Sequence, residues 1–171
     1  MMETNETKAA TVDQLPCSDD VLLKLESQLC FSLYAAQLTF GKLYRRLLKE
    51  LELTYPQYLV MLVLWDRGSQ SVSQLGEALL LSSATLTPLL KRMEKAGWLI
   101  RQRSQQDERQ VDIVLTDAGK QLKSRAANVP KAALCASDMS PEALLSLKQS
   151  LDHLRHDLEA ALASPERMSQ D

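Results

Sequence analysis

Apolar residues recur at spacings of three and four from about Asp19 to Leu51, through Leu22, Leu25, Leu29, Leu33, Ala36, Phe40, Leu43 and Leu47. That period predicts one helix of about eight turns, roughly 48 Å long at about 1.5 Å per residue. Residues 54–67, TYPQYLVMLVLWDR, predict a second helix with Thr54 or Tyr55 near its cap, Pro56 in its first turn and Gly68 after it. Its apolar character nearly all round implies burial. A short helix over 71–81 follows, capped by Ser71 or Ser73, and Ser82-Ser83 opens another that ends at Gly97. Beyond Gly97 the period changes to alternation, with Val111, Ile113 and Leu115 on one face, which predicts a β-hairpin with a charged tip. Thr116 caps a further helix that Pro130 interrupts or bends. The last segment, from Ser140-Pro141 to about Ala163, carries Leu144, Leu147, Leu151, Leu154, Leu158 and Leu162, a spacing that resembles a coiled-coil seam. Self-association is the favoured reading of that stripe, ahead of packing on its own domain.

Composition narrows the class. With 171 residues, 45% hydrophobic and 25% charged, the chain suits one domain with appended dimerisation elements, and excludes collagen-like or low-complexity architectures. Five Gly, six Pro and 5% aromatic residues favour a mainly α chain over an all-β one. No apolar run approaches the roughly 18 residues of a bilayer span, and the polar N-terminus lacks the apolar region of a signal peptide. A cytoplasmic protein without membrane contact is expected, where stable structural disulfides are rare. Cys17, Cys30 and Cys135 form no CxxC pair, and His153 and His156 lie far from them, so no metal site and no cofactor is expected. The expected organisation is a flexible tail over 1–18, a dimerisation helix carrying a cysteine over 19–53, a central lobe over 54–116, C-terminal dimerisation helices over 117–164 and a tail over 165–171.

Net charge is −2, but the charges are segregated. Both ends of the chain are acidic, whereas residues 83–110 hold Lys91, Arg92, Lys95, Arg101, Arg103 and Arg109 against Glu94, Asp107 and Glu108. Two short helices joined by LLLSS and followed by a basic hairpin make a winged helix-turn-helix, whose second helix would enter a major groove. Leu86, Leu90 and Met93 form its packed face. Ser83, Thr85 and Thr87 are left for base edges, and Lys91, Arg92 and Lys95 for phosphates. Arg101, Arg103, Asp107 and Arg109 would flank DNA from the hairpin, an arginine there entering a minor groove. Pro88 leaves two arrangements open: a bent helix, or a later start with Thr87 as cap.

The stretches LTYPQYLVMLVLW, TLTPLLKRMEKAGWLIRQRSQQDER and LTDAGKQL resemble the MarR family of dimeric winged-helix regulators. LCFSLY, with the first two, is similar to its organic-hydroperoxide-sensing OhrR branch, over roughly residues 25–160. Ser82 stands where relatives often carry an acidic residue. The resemblance implies a homodimer that binds double-stranded, pseudo-palindromic operator DNA and represses, and that is not an enzyme.

Cys30 sits among Leu29, Phe31 and Leu33, a setting in which a lone cysteine is usually an inert small hydrophobe. Tyr34, four residues on, shares its face at about 6 Å of helical rise; Tyr44 lies about 21 Å along the same axis and can serve this cysteine only from an antiparallel partner chain. Tyr55 could join from the same partner. Phenolic donors favour a thiolate, the species that attacks peroxides. The resemblance implies this role: Cys30 matches the family's peroxide-sensing cysteine, and Tyr34, Tyr44 and Tyr55 its tyrosine partners. Cys135, expected in a loop before the last helix, matches the resolving cysteine of the two-cysteine type, which captures the partner's sulfenic acid as an intersubunit disulfide. An organic hydroperoxide suits the apolar setting. The alternatives are a MarR-type regulator induced by reversible binding of a small aromatic acid, with inert cysteines, and a thiol peroxidase using Cys30.

Overall fold

The computed structural model describes residues 23–104 and 110–164. Among these residues, seven α-helices and three short strands follow in the order α1 (Leu29–Leu47), α2 (Tyr55–Arg67), β1 (Gln70–Ser71), α3 (Val72–Leu79), α4 (Ser83–Lys95), β2 (Leu99–Arg103), β3 (Val111–Leu115), α5 (Asp117–Ala126), α6 (Asn128–Ser137) and α7 (Pro141–Ala163). Single 3-10 turns at Leu25–Ser27 and Lys49–Leu51 flank α1.

The expected continuous helix over 19–51 is thus shorter. Gln28 is extended, with φ −86° and ψ 118°, and Glu52 takes a left-handed conformation with φ 56°, so α1 is bounded at both ends by backbone that cannot continue it. Periodicity ran on because the flanking leucines serve other packing: Leu48, Leu51 and Leu53 turn into the core.

Capping explains most helix starts. The Thr54 N–H and hydroxyl both donate to Gln57 Oε1, at 2.8 and 3.0 Å, with Pro56 in the first turn of α2. Ser71 and Gln74 form a reciprocal box at α3: the Ser71 N–H donates to Gln74 Oε1 at 2.8 Å, and the Gln74 N–H to Ser71 Oγ at 3.2 Å. Ser82, Thr116 and Ser140 accept from Thr85, Gly119 and Ala143 at the starts of α4, α5 and α7. Helix α3 stops at Leu79 rather than Leu81, because Leu80 is left-handed with φ 55°. Pro130 does not break the following helix at its own position: the break falls at Ala127, and Pro130 sits in the first turn of α6.

The strands form an antiparallel sheet in the order β1-β3-β2, with Leu99 opposite Leu115, Arg101 opposite Ile113 and Arg103 opposite Val111. Strand β1, two residues long, pairs Gln70 with Ile113 and Ser71 with Asp112 and had no period of its own to reveal it. The core lies between α2, α3, α4, α5 and the base of the hairpin, around Val60, Met61, Leu64, Leu75, Leu86, Leu90, Met93, Leu99, Ile113 and Leu122. Helices α1 and α7 bury none of their residues.

One junction holds this lobe closed. The Thr116 hydroxyl donates to the Gly97 carbonyl at 2.6 Å, the Thr116 N–H donates to the Trp98 carbonyl at 3.2 Å, and Trp65 Nε1 donates to the Gly119 carbonyl at 2.9 Å. Any Cβ on Gly119 would overlap the Trp98 carbonyl oxygen, so only glycine admits this approach.

Candidate nucleic-acid interface and cysteine site

Helix α4 is continuous through Pro88 and starts at Ser83, so the later start at Thr87 is not adopted. Pro88 has no N–H for the Ala84 carbonyl, and it is exposed on the helix surface. One residue earlier, the Thr87 hydroxyl donates to the Ser83 carbonyl at 2.7 Å. Leu86, Leu90 and Met93 are fully buried, and Leu89 joins them. This packing leaves Ser83, Thr85, Lys91, Arg92 and Lys95 exposed on one helix, with Thr87 half-buried. Ser82, the departure noted above, is the N-cap of that helix.

The hairpin continues the basic surface. Arg103 is exposed and Arg101 half-buried on β2, with Arg101 Nε buried and without a hydrogen-bond partner. None of Lys91, Arg92, Lys95, Arg101 or Arg103 makes an ion pair among the described residues, and all but Arg101 are exposed. Asp107 and Arg109, at the expected tip, lie outside the described residues, as does Cys17. Sequence reasoning passed over Glu94, half-buried in the last turn of α4, whose Oε1 accepts the Arg101 N–H at 3.0 Å. Nothing in the charge pattern distinguished it from a solvated acid.

Cys30 lies in the first turn of α1 and is exposed, its thiol directed at Gln28 Oε1 3.8 Å away. Cys135 is not in a loop as expected but in the last turns of α6, also exposed and unbridged. Helices α1 and α6 pack against each other. The alanines and leucine of KAALCAS carry helical period up to Asp138, whose left-handed φ of 53° ends α6.

The tyrosines divide into two groups. Tyr34 stays with the cysteine end of α1, its ring 6.5 Å from that of Phe31. Tyr44 and Tyr55 meet at the other end, ring centroids 4.5 Å apart, stacked on by Phe40 at 6.2 Å and joined by Tyr58 at 6.0 Å. Within one chain, then, Tyr34 alone of the three stands near Cys30. Tyr58 was missed, although it follows Tyr55 by one helical turn and so shares its face. Desolvation by burial raises the pKa of Tyr44, with Tyr55 adding to it; burial, then Tyr44 and Tyr55, raises that of Tyr58. Both phenols therefore stay protonated, and can donate hydrogen bonds, through the neutral range.

Among the described residues no cluster of His, Cys, Asp and Glu could hold a metal ion, and no helix is long and apolar enough to cross a membrane.

A helix pair whose second member shows polar and cationic groups beside a basic β-wing defines a DNA-binding winged-helix regulator. The family model for the transcriptional regulator SarA/Rot matches residues 42–126. The chain is 49% identical to the organic hydroperoxide resistance transcriptional regulator of Bacillus subtilis over 129 residues, 75% of this chain and 88% of that one. Its fold superposes on reduced AbfR bound to DNA with a TM-score of 0.69 at 38% identity, covering 81% of this chain and 94% of that chain. It superposes on disulfide-formed AbfR with a TM-score of 0.54 at 41% identity, covering 79% and 95%. The chain belongs to the MarR family of winged-helix transcriptional regulators and, within it, to the OhrR branch.

Proposed function

We propose that this regulator is a homodimeric repressor that senses organic hydroperoxides at Cys30 and resolves the oxidised cysteine with Cys135 of the partner subunit. The observation that carries the reading is the layout of α1: exposed Cys30 at one end, the Tyr44–Tyr55 pair at the other, and an uncovered apolar stripe between. A second copy crossing antiparallel would cover that stripe. It would also bring the partner's Tyr44 and Tyr55 to Cys30, beside its own Tyr34. The exposed leucines of α7, including Leu147, Leu151, Leu158 and Leu162, extend the surface such a copy would bury. On this organisation 19–53 and 117–164 build the dimer and 54–116 forms the DNA-binding lobe.

In the reduced dimer, Ser83, Thr85 and Thr87 read base edges of a pseudo-palindromic operator. Lys91, Arg92, Lys95, Arg101, Arg103 and Arg109 set the lobe on the backbone and flanking groove, the Asp107 carboxylate holding one of the guanidinium groups, so affinity falls steeply with salt. The Cys30 thiolate attacks the distal peroxide oxygen; the O–O bond breaks, the sulfur becomes sulfenic acid and the leaving alkoxide takes a proton to become the alcohol. The thiolate of the partner's Cys135 then attacks the sulfenic sulfur, forming S–S and releasing hydroxide, which leaves as water. Phenolic donors near Cys30 favour the thiolate that begins this sequence. Support for a redox role comes from AbfR, a relative solved in reduced, overoxidised and disulfide-formed states.

The test is non-reducing gel migration after stoichiometric cumene hydroperoxide for wild type, Cys30→Ser and Cys135→Ser. A crosslinked dimer in wild type alone is expected. No crosslink, with Cys30 still titrating as a free thiol, overturns the redox reading.

The second reading is induction by reversible binding of a small aromatic acid, with inert cysteines, for which a concavity of about 280 Å³ lined by Leu64, Trp65, Val114, Leu115, Lys120 and Lys123 offers a place. Under that reading Cys30→Ser keeps full induction. Under the redox reading it represses constitutively.

A further inference from the structure

Strand β2 is an edge strand, paired to β3 on one side only. A free edge leaves backbone N–H groups without ladder partners and lets the strand pivot. The Arg101 N–H is not left open: it donates to Glu94 Oε1 at 3.0 Å in a half-buried setting. The Glu94 backbone carbonyl also accepts the Gly97 N–H at 2.9 Å, and the neighbouring Met93 carbonyl accepts the Trp98 N–H at 3.1 Å. One residue of α4 thus holds both the turn that leaves the helix and the strand that follows it.

Glu94 is a costly choice of acceptor. It places a carboxylate on the same helix as Lys91, Arg92 and Lys95 and against the strand that carries Arg101 and Arg103, a surface that the DNA reading sets on a polyanion. It makes no ion pair among the described residues, so neutralising those cations does not account for it. The carboxylate is committed to main chain, and the Arg101 guanidinium remains free, its Nε buried without a partner.

We infer that Glu94 is a positioning residue for DNA binding: its carboxylate clamps the free edge of the wing to the recognition helix and fixes the angle at which α4 and the wing arginines meet the duplex together. The inference rests on the reading of this lobe as the part that docks on DNA. Specific binding needs both elements in register with two grooves at once; non-specific binding to phosphate does not. The clamp therefore acts on sequence-specific affinity, and its own negative charge opposes affinity of both kinds.

The two effects separate in two variants of the full-length chain. Glu94→Gln keeps an oxygen that accepts the Arg101 N–H and removes the charge; Glu94→Ala removes both. The probe is a duplex that the wild-type chain selects from a random-sequence library, with an unselected duplex as reference. Glu94→Gln is expected to bind the selected duplex at least as tightly as wild type. Glu94→Ala is expected to bind it about tenfold more weakly, while binding the unselected duplex no more weakly than wild type. Amide hydrogen exchange reads the clamp without DNA: the Arg101 amide should exchange about tenfold faster in Glu94→Ala and unchanged in Glu94→Gln. Equal affinities of the two variants for the selected duplex, in either direction, overturn the inference, as does an Arg101 amide unaffected by Glu94→Ala. Failure of the wild-type chain to select any duplex overturns the DNA reading instead, and the exchange data then judge the clamp by themselves.

Discussion

The lobe built by α2 to α5 and the hairpin contrasts with the arms, α1 and α7. In the lobe, leucines and methionines at helical spacing are buried, the helix starts are capped, and Trp65, Thr116 and Gly119 tie the elements together through main chain. In the arms an equally regular apolar stripe stays open: Phe31, Leu33, Leu38 and Phe40 on α1, and Leu147, Leu151 and Leu158 on α7, are all more than a third exposed. The same pattern of residues thus means two things. Where elements of one chain meet it closes a core, and where they do not it stays open, the surface that the proposed dimer would cover.

The sharpest way to break the contrast is to open the lobe. Gly119→Ala places a methyl group against the Trp98 carbonyl and is expected to cost about 3 kcal/mol, read as a shift of the urea midpoint. A substitution that leaves the midpoint unmoved would show that the α5 start can retreat from the turn after α4. Next comes a change confined to an arm. Leu151→Glu is expected to weaken self-association about a hundredfold in sedimentation equilibrium while leaving the lobe's protected amides unchanged. If the lobe unfolds with it, the two regions are one cooperative unit and the contrast fails.

Smaller effects sharpen it. Ser71→Ala removes the acceptor for the Gln74 N–H at the start of α3 and should cost about 1 kcal/mol in the same unfolding assay. The tyrosine cluster straddles both regions and gives a pH signature. The folded pKa values of Tyr44 and Tyr58 are raised, so their contribution to stability is fully present below about pH 10 and is lost as pH rises through the raised values. Tyr58→Phe removes one of the two titrating phenols, so the alkaline fall of the unfolding midpoint should be shallower than in wild type.

The lobe was largely legible because its signals are local. Period, Gly97 and the cap residues place α2 to α5, and the alternation of Val111, Ile113 and Leu115 places β3. Strand β1 escaped because two residues carry no period, and its partner is Ile113, far along the chain. The ends of α1 escaped because Leu48 and Leu51 keep its spacing while serving the core. Cys135 was misplaced because proline signalled a break at residue 130, whereas proline is tolerated in a first helical turn. At the candidate site, the exposed faces of α4 and the separation of Tyr44 from Cys30 follow from helical geometry alone. Glu94 does not, since its role depends on a backbone group seven residues away that only the turn brings near.

Two long cations on α5 grip the chain by its backbone. Lys123 Nζ donates to the Trp65 carbonyl at 3.0 Å, and Arg125 Nη2 donates to the Glu50 carbonyl at 2.6 Å. Every residue type offers that same oxygen, so neither grip reads the side chain of the residue it holds, at position 65 or at position 50. The frame that orients the lobe is in this sense written in a sequence-neutral alphabet. Descendants of this chain can exchange Glu50, or redraw the surface of the turn around it, and inherit the same geometry unaltered.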